Sequence, residues 1–158
     1  MRYLRPSSDA LLQTTTMANP ATMLAARQGD THAVAAWLDG GGGVDTHCAE
    51  LEGTTLLKAA AFGGQEAIVR MLLQRGASVN LQGSDGFTAL MDAAASGHTT
   101  IVQALLDAEA DASLQAKNGY TALMFAEHQK HTATAQLLRQ HAKRQVAEVS
   151  PNPTLTQP

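Results

Sequence analysis

The feature that most constrains this chain is a strict internal period. Thr55, Thr88 and Thr121 are spaced by 33 residues (88 − 55 and 121 − 88), and so are Leu57, Leu90 and Leu123, and Leu72, Leu105 and Leu138. A unit of that length is one supersecondary element. It cannot bury its own apolar face, so it must stack on its neighbours. Each unit opens on Gly-x-Thr: Gly53-Thr54-Thr55, Gly86-Phe87-Thr88 and Gly119-Tyr120-Thr121. The glycine suits a tight turn, and the threonine hydroxyl suits an N-cap. A helix of small residues follows (Ala60-Ala61, Ala93-Ala94) and closes at Gly64 or Gly97. A second helix carries Ile68-Val69 and Leu72-Leu73, matched by Ile101-Val102 and Leu105-Leu106, and Gly76 ends it in the second unit. The motif predicts helical hairpins joined by turns.

The same organisation fades towards both ends. In Ala21–Gly41, Leu24, Ala25, Val34, Trp37 and Leu38 fall at helical spacings, with Gly29 and Gly41 as the ends of two short helices. Residues 1–18 show no sustained periodicity and contain Pro6 and a Thr14–Thr16 run, so a disordered leader is expected rather than a transit peptide. Lys143–Pro158 is polar and Pro-rich, and is expected to be a disordered tail. The repeat domain is therefore placed at 19–142, with units at about 19–51, 52–84, 85–117 and 118–142.

Composition narrows the function classes. The chain is 44% hydrophobic but only 4% aromatic, so its apolar content is Ala and Leu, which favours close-packed helices. The net charge is −3 and each flank is +1 (Arg2 and Arg5 against Asp9; Lys143 and Arg144 against Glu148), which leaves −5 on residues 18–142. That balance argues against nucleic acid, which asks for a basic stripe, and points towards a partner with a basic patch. The single cysteine, Cys48, allows no intrachain disulfide, so a reducing compartment is expected, the cytoplasm with the nucleus as alternative. Apolar runs such as Ile68–Leu73 are interrupted by charge, so membrane insertion is not expected. A monomer is the expectation.

Residues that invite chemistry do not form a chemical pattern. Gly40–Gly43 lacks the Lys-Ser/Thr and the preceding strand of a phosphate loop, and reads as a turn. His47-Cys48 are neighbours in a loop that is two residues longer than the later ones, and such neighbours do not set a base beside a nucleophile. His128 and His131 can share a helix face but lack further ligands at a zinc spacing. Glu50 and Glu52 read as a solvated turn. No catalytic, metal or cofactor site is expected, and the chain reads as a non-enzyme.

The unit resembles the ankyrin repeat, which has a 33-residue period and a Thr-Pro-Leu-His-x-Ala start. The resemblance covers about residues 20–142. It implies an all-α solenoid of stacked antiparallel helix pairs, with loops projecting as β-turn fingers. Three departures stand out. Leu56, Ala89 and Ala122 replace the proline; Lys58, Met91 and Met124 replace the histidine; Glu109 replaces the glycine after the second helix. In the last unit Lys130 replaces a glycine, and Glu127, Thr134 and Arg139 replace apolar residues, as in a polar terminal cap. His98 falls at the family's Gly-His position and is expected to be structural. Asn80 resembles asparagines that are hydroxylated in some ankyrin repeats, with turn capping expected as its main purpose.

The resemblance further implies that partners meet the finger tips and the exposed side of the first helices. Carried over by the motif, these positions are Leu51, Glu52, Thr54 and Phe62; then Gln82, Ser84, Asp85, Phe87, Ala95 and Ser96; then Gln115, Lys117, Asn118, Tyr120, His128 and Gln129. Phe87 and Tyr120 share one position, where an aromatic ring is either an interface hot spot or packed on its own finger. The implied function is a protein-interaction module acting as adaptor, scaffold or competitive inhibitor. The alternative is a recruiting arm of a multidomain enzyme or ubiquitin ligase.

Overall fold

The structure, a computed structural model, describes residues 18–149. Four helix pairs follow one another: α1 (Pro20–Gln28) with α2 (Thr31–Asp39), α3 (Leu56–Gly63) with α4 (Glu66–Gln74), α5 (Ala89–Ser96) with α6 (Thr99–Asp107), and α7 (Ala122–His128) with α8 (Thr132–Val149). Each first helix packs on the next, α1 on α3, α3 on α5 and α5 on α7, and the second helices form a parallel row. The all-α solenoid expected from the repeat is the architecture found.

The helices begin and end where the motif places them. Thr55, Thr88 and Thr121 are the N-caps of α3, α5 and α7, each accepting from the amide three residues on at 3.3–3.4 Å. Asn19 and Asp30 cap α1 and α2 in the same way. Gly64 and Gly97 close α3 and α5 in the left-handed region, at φ 75° each. The alanines let the first helices approach: Ala60, Ala61, Ala93 and Ala94 are fully buried. Ile68, Val69, Leu72, Ile101, Val102 and Leu105 build the core between units.

Side chains also bond one unit to the next at the same period. Gln65 Nε2 donates to Arg27 O (3.1 Å), His98 Nε2 meets Phe62 O (3.2 Å) and His131 Nε2 meets Ala95 O (3.1 Å). Each closes the carbonyl end of the preceding first helix, with the histidines in the tautomer that donates from Nε2. His98 is structural, as expected. The glycine that ends the preceding first helix is also a spacer in each case: Gly29 faces Gln65, Gly64 faces His98, and a Cβ on Gly97 would lie 2.6 Å from the His131 ring.

The fingers are joined as well. The first contains a two-residue antiparallel pair, β1 (His47–Cys48) with β2 (Thr54–Thr55), in the register His47 opposite Thr55. The next two close through Gly83 N to Phe87 O and Ala116 N to Tyr120 O, both 3.0 Å. Gln82 Nε2 donates to Gly86 O (2.8 Å) and to Gln115 O in the next finger (3.0 Å). Asn80 Oδ1 accepts from Asp111 N at 2.8 Å, so this side chain joins two units rather than capping its own turn.

Several expectations change. The tail expected to be disordered from Lys143 is helical as far as Val149, because α8 runs on through Ala142–Val149, which lacks glycine and proline and is rich in good helix formers. Residues 150–158 and 1–17 lie outside the described residues. Ala18, assigned to the leader, is buried against the array. Thr134 is not part of a polar surface: it is buried, and its hydroxyl meets that of Thr99 at 2.8 Å. Arg139 and Glu127, by contrast, pair across α7 and α8. Leu24 lies on the helical apolar spacing, yet it is 50% exposed, because it faces the groove described next.

Candidate interaction groove

The first helices and the finger tips enclose an open groove of about 670 Å³. α1 contributes Met23, Leu24 and Arg27; α3 contributes Lys58, Ala59 and Phe62; α5 contributes Asp92; the fingers contribute Glu50, Leu51, Glu52, Thr54 and Asp85. The period orders the concave face on which the groove lies. Ala59, Asp92 and Phe125 recur every 33 residues and form one row, while Phe62, Ala95 and His128 form a second. Successive units thus present different chemistry at one geometric position.

The groove is charged. Lys58, at the motif's histidine position, is 4% exposed and its Nζ meets Asp85 Oδ1 at 3.3 Å. The same Asp85 oxygen accepts from Phe87 N at 2.9 Å, which fixes the finger tip as an Asx turn. Asp92 lies beside them, partly buried. Burial pushes its carboxyl up to about 7, against the pull of the Lys58 charge and with a further push from Asp85. Arg27 places its guanidinium 4.6 Å from the centre of the Phe62 ring.

Beyond this groove, the concave face next to α7 is aromatic. Phe87 and Phe125 rings are 4.7 Å apart and tilted, Tyr120 and Phe125 are 5.4 Å apart, and His128 stands 6.4 Å from Tyr120. Phe87 therefore packs on the first helix of the next unit, not on its own finger. Tyr120 is 39% exposed and Met124 is 45% exposed beside it.

The expected interface residues fall into two groups. Leu51, Glu52, Thr54, Phe62 and Asp85 line the groove together. Tyr120 and His128 stand in the aromatic cluster outside the groove, and Lys117, Asn118 and Gln129 are exposed around it. Ser84, Gln82 and Asn118 also serve the scaffold. Ser84 N and Oγ both donate to Glu52 O, and Asn118 Oδ1 accepts from Tyr120 N. Gln115 and Ala95 offer carbonyls that neighbouring units occupy, and Ser96 is half-buried at the end of α5. Sequence reasoning missed Leu24, Arg27, Lys58, Asp92 and Phe125. Phe125 and Asp92 were accessible to it, since both recur at the spacing of Ala59 on the face opposite the alanine pairs. The seating of Lys58 was not, because it depends on an ion pair between two units.

Among the described residues no three His, Cys, Asp or Glu side chains gather as metal ligands would. His131 is committed to Ala95 O, and Cys48 is buried. Among the same residues no helix is long and apolar enough to cross a membrane.

A family model for ankyrin repeats, in three copies, matches residues 22–116. The chain belongs to the ankyrin-repeat family. Among curated ankyrin proteins it is similar to ankyrin repeat and SAM domain-containing protein 6 of Mus musculus and of Rattus norvegicus, at 37% identity over 79 residues in each. Those residues are 50% of this chain and only 8% of the relatives' length. The ankyrin repeat is a general protein-interaction module, generally without catalysis of its own. The fourth unit of this ankyrin array extends beyond the family match, with α7 and α8 completing the stack.

Proposed function

We propose that the chain is a non-catalytic recruiting module that binds a partner protein through its concave face and finger tips, as an adaptor, scaffold or competitive inhibitor. The observation that carries this reading is the groove itself. It is a continuous concavity with Leu24, Leu51 and Phe62 exposed at 50%, 40% and 44% along it, in an array whose other large apolar side chains are mostly buried. Exposed apolar side chains gathered in a concavity are the usual mark of a binding surface. A specific complex needs about 800 Å² from each partner, an area that four units side by side can supply. The partner is expected to be basic, and the working state is expected to be a monomer in a reducing compartment.

The relatives favour a second form of the same reading. Their matched segment is a small fraction of long proteins whose name includes a SAM domain, so a recruiting arm of a larger assembly, an enzyme or ubiquitin ligase included, is the alternative.

The test is affinity capture with wild type beside Phe62→Ala/Tyr120→Ala, two exposed rings whose removal leaves the core intact. Loss of the partners held by wild type, with retention by the convex-side control Arg70→Ala, supports the reading. Full retention by the double variant overturns it.

A further inference from the structure

The groove and the aromatic cluster beside it on the concave face differ in chemistry, and that difference specifies the occupant. Resting on the reading of the groove as a binding surface, we propose that it is a socket for an arginine or lysine side chain of the partner. An apolar residue of the same segment then seats against the Phe125–Tyr120 cluster.

The socket has an apolar wall and an acidic end. Leu24 and Phe62 are exposed along the wall, an apolar surface on which the methylene stem of a long cationic side chain can lie. Glu50, Glu52, Asp85 and Asp92 supply four carboxyls against two cations, Arg27 and Lys58. Both cations are engaged: Lys58 is held on Asp85, and Arg27 lies over the Phe62 ring. Among the described residues Glu50 and Glu52 form no ion pair, and the Asp92 carboxyl makes no hydrogen bond. An incoming cation therefore meets unpaired acid. An anionic side chain meets the same excess as repulsion, and a purely apolar one leaves it undischarged.

Spacing adds a second constraint. Asp92 on α5 and Phe125 on α7 occupy the same position in adjacent units, and packed helices stand about 8–10 Å apart. An extended segment advances about 3.3 Å per residue. The partner segment thus carries its cation about three residues from its apolar anchor.

Asp92 also makes the socket sensitive to protons. The charges of Lys58 from α3 and Asp85 from the finger act on it, and Glu50 and Glu52 from the fingers and Arg27 from α1 line the same groove. With its carboxyl titrating near 7, an arginine that enters displaces a proton from Asp92, and binding strengthens as pH rises through that value.

The experiment selects phage-displayed random dodecapeptides on the full chain. The enriched sequences, synthesised without histidine, are then titrated by fluorescence anisotropy. Enrichment of Arg or Lys about three residues from an apolar residue is expected. Asp92→Asn should weaken such a peptide about tenfold at pH 8, and much less at pH 5.5, where wild type is already protonated there. Phe125→Ala should weaken it at both pH values, and Arg27→Ala should tighten it. Peptides that need Phe125 but show no cation, or whose affinity ignores Asp92→Asn at pH 8, overturn the socket and leave the groove standing. Peptides indifferent to both variants, or no enrichment, overturn both.

Discussion

Glu109 is held at φ 64°, the left-handed region, at the place where Gly76 one unit earlier adopts φ 83°. A side chain there strains the backbone by about 1 kcal/mol. Glu109→Gly is expected to raise stability by about 0.5–1 kcal/mol, seen as a melting temperature higher by about 2–5 °C. An unchanged or lower temperature contradicts the strain. Lys130, at φ 62° in place of the glycine found at 64 and 97, shows the same substitution in the last unit. Both were legible in the sequence, because a lapse in a strict period marks itself. The position of Asp92 was legible too, but its proton affinity was not, because its environment is made by burial and by Lys58 and Asp85 from other elements. Its folded value near 7 lies above the ordinary 3.8, so the native state favours the protonated form. The stability that this supplies is complete below about 3.8 and is lost as pH rises through 7. Asp92→Asn does not titrate. Urea unfolding at pH 4 and pH 8 should therefore show the variant gaining on wild type at the higher pH, with about 4 kcal/mol as the ceiling set by the shift. An equal difference at both pH values contradicts the burial of that carboxyl.

The helix hairpin is the element that repeats, and its joints are more informative than its interior. Gln65, His98 and His131 each close the carbonyl end of the preceding first helix. The role belongs to the position and is met by two different side chains. His98→Ala leaves the Phe62 carbonyl without this partner and should cost about 1–2 kcal/mol in chemical denaturation. His98→Gln should recover most of that loss, since Gln65 performs the same task one unit earlier. Equal losses in the two variants would show that ring packing matters and the hydrogen bond does not. At this scale the sequence named the elements and most boundaries, because threonine caps and glycine stops are local signals. It misjudged the end of α8, since a polar stretch without glycine or proline reads equally as tail or as solvated helix. It also misjudged Thr134, whose hydroxyl is satisfied by Thr99 on a neighbouring helix.

The whole molecule is a row of near-identical units whose stacking makes both the core and the groove. The period determined the stack, and the resemblance it carried implied which face meets partners. The spacing puts Asp92 and Phe125 at one position in adjacent units, but neither showed that the concave face is acidic at one end and aromatic at the other, since each end is assembled with side chains of other units. Phe87 illustrates the same limit. Its spacing singled it out, but only the fold shows its ring lying on Phe125. The concave face as the binding surface is tested most directly by hydrogen–deuterium exchange of the chain, alone and saturated with a partner obtained by affinity capture. Slowed exchange is predicted in the fingers at 49–54, 82–87 and 115–120 and in α3, α5 and α7, with α4 and α6 unchanged. Protection confined to α4 and α6 would contradict it.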